Sequence, residues 1–118
     1  KMKIKKRNKP RQFKVGLFSK ITLKDMGDIS LSNNEQVTFV SKSNGRYDIC
    51  KKSWGYYATP SINSRLKKEG FKTAIVKNKL GRIFIMIVEK KKYFEFKKYC
   101  KEEKQKIVKW LDDEYKKN

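Results

Sequence analysis

Apolar positions along the chain follow two different periods. From Phe13 they alternate, with Phe13, Val15 and Leu17, then Ile21 and Leu23, then Ile29 and Leu31, interrupted by Gly27 and by Ser32-Asn33-Asn34. Side chains two apart share one face of a pleated strand, so this stretch predicts several short antiparallel strands with turns at the interruptions. Residues 37–41 and 46–51 flank Ser43-Asn44-Gly45. Asn-Gly between two such runs is a strong hairpin signal, because both central residues of a type I′ turn need positive φ.

The period then changes. Thr59-Pro60 predicts a helix start, since Thr can cap free amides and Pro at the first helical position loses no hydrogen bond. Gly70 is the matching stop. Between them Ile62 and Leu66 lie four apart, with Arg65, Lys67 and Lys68 projecting elsewhere, so a short amphipathic helix with a basic outer side is expected. Residues 72–77 and 82–88 predict a second hairpin across 78–81. The second strand of that hairpin is apolar on both faces, which predicts a central place in the sheet. Residues 90–117 have a helical composition, with Tyr93, Phe96 and Cys100 on one face and Ile107, Val108 and Leu111 on another. The break at Glu103-Lys104 predicts two consecutive helices or one bent helix, with Glu102–Lys106 and Asp112–Lys116 as surface pairs.

These elements define an expected α+β fold: a small antiparallel sheet of about five to six strands, a short helix between two hairpins, and a C-terminal helical segment on one face. Residues 12–118 are expected to form a single domain, a size that can bury a core without disulfides or a metal. Residues 1–11 carry a charge of +7 with no acid. Such a segment repels itself and is expected to be a flexible basic tail. The longest apolar run, residues 83–88, is far short of the roughly eighteen residues that a membrane helix needs. No secretory-length apolar stretch follows the basic start, so a cytoplasmic protein is expected.

Charge changes the picture most. Among 118 residues, 32 are Lys or Arg and 12 are Asp or Glu, a formal charge of +20. The excess is almost entirely lysine, as AT-rich codon usage would produce, yet such drift would raise Glu as well. Extreme positive charge points to polyanionic partners. The densest unusual stretch, residues 51–65, joins the Asn-Gly hairpin to the first helix. It combines Trp54, Tyr56 and Tyr57 with Lys51, Lys52 and Arg65, and aromatic faces beside cations can stack unpaired bases while the cations hold phosphates. Ser61 and the amides of the helix start could receive an anion. Packing of the three aromatics into the strand-to-helix corner is the competing interpretation.

Candidate catalytic chemistry is sparse. There is no histidine, which removes triads, HExxH zinc sites and histidine general bases. Six glycines stand singly, in neither a GxGxxG nor a GK[ST] loop. Cys50 and Cys100 lie fifty residues apart, too sparse for a disulfide scaffold or zinc site, and two reduced thiols are expected. No metal or cofactor is therefore expected. Glu89-Lys90-Lys91 resembles one half of the metal-dependent nuclease pattern, with Asp48 as the only upstream acid to accompany it. Ser64-Arg65-Leu66-Lys67 matches SxxK but has no SDN or KTG companion. The RNA-recognition octapeptide, the GXXG loop and zinc-finger spacings are all absent.

The leading expectation is a non-enzymatic domain that engages nucleic acid or another phosphate-bearing polyanion. Lys3, Lys5, Lys6, Arg7, Lys9 and Arg11 would form an electrostatic arm. Arg46, Lys51, Lys52, Ser61, Arg65, Lys67 and Lys68 would form a fixed patch, with Trp54, Tyr56 or Tyr57 stacking. One alternative is a protein-interaction or oligomerising surface on the C-terminal helices, including Phe94 and Trp110. The other is a small metal-dependent nuclease around Asp48, Glu89 and Lys91.

Overall fold

The structure, a computed structural model, describes residues 1–18 and 20–114. Among these, eight strands form three small antiparallel sheets. β1 (Lys3–Val15) and β2 (Ile21–Ser30) make a two-stranded hairpin; β3 (Gln36–Val40), β4 (Arg46–Lys52) and β5 (Gly55–Ala58) make a second sheet in that order. β6 (Phe71–Lys77), β7 (Ile83–Glu89) and β8 (Lys106–Trp110) make the third, with β6 in the middle. The helices α1 (Arg65–Lys68) and α3 (Leu111–Glu114) pack on β6, and α2 (Tyr93–Glu102) packs on β7 and β8. The class is the α+β class expected, with antiparallel pairing throughout.

The core draws on the second and third sheets and on α1 and α2. Its buried apolar side chains are Cys50, Leu66, Phe71, Ala74, Val76, Val88 and Cys100. Leu66 is the one anchor of α1, and burying a leucine contributes about 1.5–3 kcal/mol, enough to hold a helix of four residues that has no side-chain N-cap bond. Gly45 sits where a Cβ would come within 2.7 Å of the Phe71 ring, so its lack of a side chain lets the two sheets approach. The hairpin around it closes by Ser41 N–H to Gly45 O at 2.9 Å and Asn44 N–H to Ser41 O at 2.9 Å, with Asn44 alone at positive φ. This is a type I turn followed by a left-handed residue rather than the expected type I′ turn.

Several expectations are corrected. Residues 1–11, expected to be a flexible tail, lie almost wholly in β1, which pairs with β2 from Lys3↔Ser30 to Val15↔Ile21. The counter-charges come from the partner strand: Arg7 reaches Asp25 at 3.2 Å and Asp28 at 3.0 Å, and Arg11 reaches Asp25 at 3.4 Å. Gly27 is not a turn but part of β2, close to the register shift between Lys6 and Arg11; a Cβ there would strike the Lys5 carbonyl oxygen at 2.2 Å. Thr59-Pro60 does not start the helix. Thr59 N–H still donates to Asp48 O at 3.1 Å, an extension of the β4–β5 ladder, and helix begins only at Arg65.

At the C-terminus, residues 106–110 form a strand on β6, not a helix. Lys104, at φ 52°, ends the helical path, and β-branched Ile107 and Val108 fit a strand better than a helix. Asp112 is buried and accepts Thr73 N–H and Lys72 Nζ, both at 3.1 Å, so it is no surface partner of Lys116, which lies outside the described residues. Lys98–Glu102 at 3.9 Å replaces the expected Glu102–Lys106 pair. β7, expected at the centre of a sheet, is an edge strand.

The molecule is open. Its radius of gyration is 16.0 Å, against about 13.5 Å for a compact chain of this length. Its accessible surface is 9477 Å², against about 6,700 Å² for a compact monomer of this mass. No helix among the described residues is long and apolar enough to cross a membrane.

Candidate functional site

Two neighbouring features collect most of the basic and aromatic residues singled out above. The first is the β4–β5 hairpin. Antiparallel pairing sets Lys51 opposite Tyr56, Cys50 opposite Tyr57 and Lys52 opposite Gly55. The turn between the strands is Ser53-Trp54, and Gly55 takes φ 144°, a conformation open to glycine. Trp54 and Tyr57 stack with ring centroids 6.1 Å apart at 27°. Lys51 Nζ lies 5.5 Å from the Tyr56 ring centre. Trp54 is 71% exposed, Tyr56 62% and Tyr57 42%, so these rings do not fill the strand-to-helix corner. Lys52 Nζ is fixed by Asn34 Oδ1 at 2.8 Å. Asn34 entered the sequence argument only as a turn residue, because its contact with Lys52 is made across the fold.

The second feature is the β1–β2 hairpin. It is held at both ends. At one end the turn after β2 bonds β4 through Asn34 N–H to Lys51 O at 2.7 Å and Lys51 N–H to Glu35 O at 2.9 Å. At the other, Leu17 N–H donates to the buried Glu103 carboxylate at 2.9 Å, and Lys104 Nζ lies 4.5 Å from the Phe18 ring centre. A strand of this length spans about 40 Å. β1 thus runs from beside the Trp54 hairpin to the end of α2, carrying exposed Lys3, Lys5, Lys6 and Lys9 along it. Arg7 and Arg11 stand apart from these lysines because their guanidinium groups are engaged by Asp25 and Asp28.

The remaining candidates are more scattered. Lys67 and Lys68 are exposed on α1. Arg65, on the same helix, reaches back to the buried Asp48 carboxylate at 2.8 Å. Asp48 also accepts the Thr38 hydroxyl at 2.5 Å, and that bond, followed by Arg65, holds its carboxyl below the usual range. Ser61 Oγ accepts Arg65 N–H at 2.9 Å. Arg46 is exposed, and its backbone N–H donates to Glu69 at 3.2 Å.

The two acids proposed for metal-dependent chemistry are likewise engaged by protein groups. Glu89 accepts the hydroxyls of Ser43 and Ser41, with Lys92 Nζ 3.9 Å away, and these hydroxyls hold its carboxyl below the usual range. Among the described residues no group of three or more His, Cys, Asp or Glu side chains is placed to hold a metal ion. Ser64 ends its turn at the start of α1, and Lys67 follows on the exposed side.

Comparison with protein-family models, with curated protein sequences and with solved structures finds no match for this chain.

Proposed function

We propose that this chain is a non-enzymatic binding domain for nucleic acid or another phosphate-bearing polyanion, and that single-stranded nucleic acid fits its surface best. The observation that carries the proposal is the exposed Trp54–Tyr57 stack, with Lys52 on the same face of the hairpin and Lys51 against the Tyr56 ring on the other. Aromatic rings that a protein leaves in water cost it hydrophobic burial, and stacking on an unpaired base recovers that loss at about 1–3 kcal/mol per base. A duplex hides its bases from such a platform; a single strand does not. The lysines beside the rings supply the electrostatic half of the contact. Lys3, Lys5, Lys6 and Lys9 on β1 extend the positive path away from the hairpin for a backbone several nucleotides long. The reading places the chain in the cytoplasm, where such strands are met.

Salt dependence tests this reading. Each phosphate neutralised on a single strand contributes about −0.7 to the slope of log K against log salt, so contacts from Lys51, Lys52 and two arm lysines give a slope of about −3. Fluorescence anisotropy of a labelled oligouridylate at graded salt is expected to show it. An affinity independent of salt would overturn the proposal.

A second reading, protein interaction through the C-terminal helical face, draws on one observation: Phe94 is 83% exposed on α2. Its other anchor is displaced, because Trp110 lies in β8 and packs on Phe96 and Tyr93 at 5.9 and 5.8 Å. The nuclease reading gains no support, since Asp48 and Glu89 both hold protein partners.

A further inference from the structure

Edge strands of natural proteins are usually blunted by lysines, proline or a bulge, because an open row of backbone amides and carbonyls invites another strand. β8, one edge of the third sheet, follows that pattern: it carries Lys106 and Lys109 and has a register shift against β6. β7, the other edge, does not. Residues 83–88 are Ile-Phe-Ile-Met-Ile-Val, with no charge or proline, and the strand pairs in unbroken register from Lys77↔Ile83 to Phe71↔Glu89. Ile83 is 65% exposed and Ile85 57%. An open groove of about 570 Å³ lies against this strand and α2. Five consecutive β7 residues, 85–89, line it, and Glu95, Phe96 and Tyr99 of α2 form its far wall.

We infer that the free edge of β7 is a docking site for an extended segment of a partner protein, one with alternating apolar residues and acidic residues at both ends. The strand would add to the sheet beside β7, with backbone bonds giving affinity and the groove receiving a side chain for specificity. Charge identifies the occupant. The apolar run is bracketed by Lys79 and Arg82 before it and by Lys90, Lys91 and Lys92 after it. The one acid in the bracket, Glu89, is turned to Ser41 and Ser43.

The same bracket disfavours a second copy. Antiparallel pairing of two β7 strands would bring the basic residues before the strand in one copy towards Lys90, Lys91 and Lys92 after it in the other, and two chains of +20 add long-range repulsion. Acidic ends on a different chain remove both penalties.

Selection of displayed random peptides of about ten residues on the intact chain tests the inference. Enriched sequences are expected to alternate apolar residues between acidic ends. Their synthetic forms should lose at least about tenfold in affinity on two changes, namely N-methylation of alternate backbone amides and Ile85→Lys in the protein. N-methylation keeps every charge and leaves the protein untouched, so it separates strand pairing from simple attraction to a basic surface and from misfolding of the variant. Three results would overturn the inference: no such family of peptides, binding insensitive to N-methylation, or a dimer in sedimentation that Ile85→Lys dissolves.

Discussion

Arg65 Nη2 lies 2.8 Å from the buried carboxylate of Asp48, joining α1 to β4. The pair unites a residue expected in a phosphate-binding patch with one expected at a metal, and in the fold it ties the helix to the strand. Asp48 is the more costly to remove. Its other bond, to Thr38, is made at the same buried carboxylate, so Asp48→Ala leaves a partly buried hydroxyl unmatched and is expected to destabilise by about 1 kcal/mol or more. The Arg65 side chain is half exposed, and its loss is expected to cost about 1 kcal/mol or less. Urea unfolding of the two variants checks the order, and oligonucleotide affinity of Arg65→Ala is expected to change little.

Acid is expected to unfold the chain in a way set by four carboxylates. Asp25 is held below its usual range by the Gly27 N–H and then Arg7, Glu35 by the Ser32 N–H, Asp48 by the Thr38 hydroxyl and Glu89 by the Ser43 hydroxyl. Each is a stronger acid folded than unfolded. Their contribution to stability is therefore complete above the ordinary carboxylate range and fades as pH falls through the folded values. Burial pushes the Cys100 thiol and Tyr47 phenol up, and there is no histidine, so no step is expected between about pH 5 and 8. Thermal melts across pH check this, and Asp48→Asn is expected to shallow the acid-side decline.

Contact between Gly45 and Phe71 governs how closely the second and third sheets pack. Adding a methyl group forces the ring or the strand to move, and overpacking of this kind costs about 1–3 kcal/mol. Gly45→Ala is expected to show that loss in chemical denaturation. Phe71→Leu in the same chain should restore part of it, because the clash is with the ring; strict additivity of the two changes would contradict the contact.

What sequence made legible was local. The hairpin at Asn44-Gly45, the hairpin at 78–81, the stop at Gly70 and the α+β class all rest on residues a few positions apart, and these appear in the structure. What it concealed was decided by distant partners. The basic strand β1 is neutralised in part by acids on β2, beyond a turn. Residues 106–110 bear an apolar pattern that suits helix or strand, and the open side of β6 decides between them. β7 has the apolar character of a central strand, yet β8 takes the position on the far side of β6 and leaves β7 at the edge. In the candidate site, Trp54, Tyr56 and Tyr57 were visible as composition, but their exposure and the Trp54–Tyr57 stack depend on the hairpin that carries them. Arg65 and Ser61 looked available because their partners, Asp48 and the Arg65 amide, come together only in the fold.

The central claim is that the Trp54–Tyr57 platform stacks an unpaired base, and titration of a single-stranded oligonucleotide into wild type and Trp54→Ala at fixed salt tests it most directly. Because Trp54 is exposed, the variant is expected to keep its stability within about 0.5 kcal/mol. It is expected to lose about 1–3 kcal/mol of binding while keeping the same salt slope, since the lysines remain. Equal affinity for wild type and variant would contradict the account.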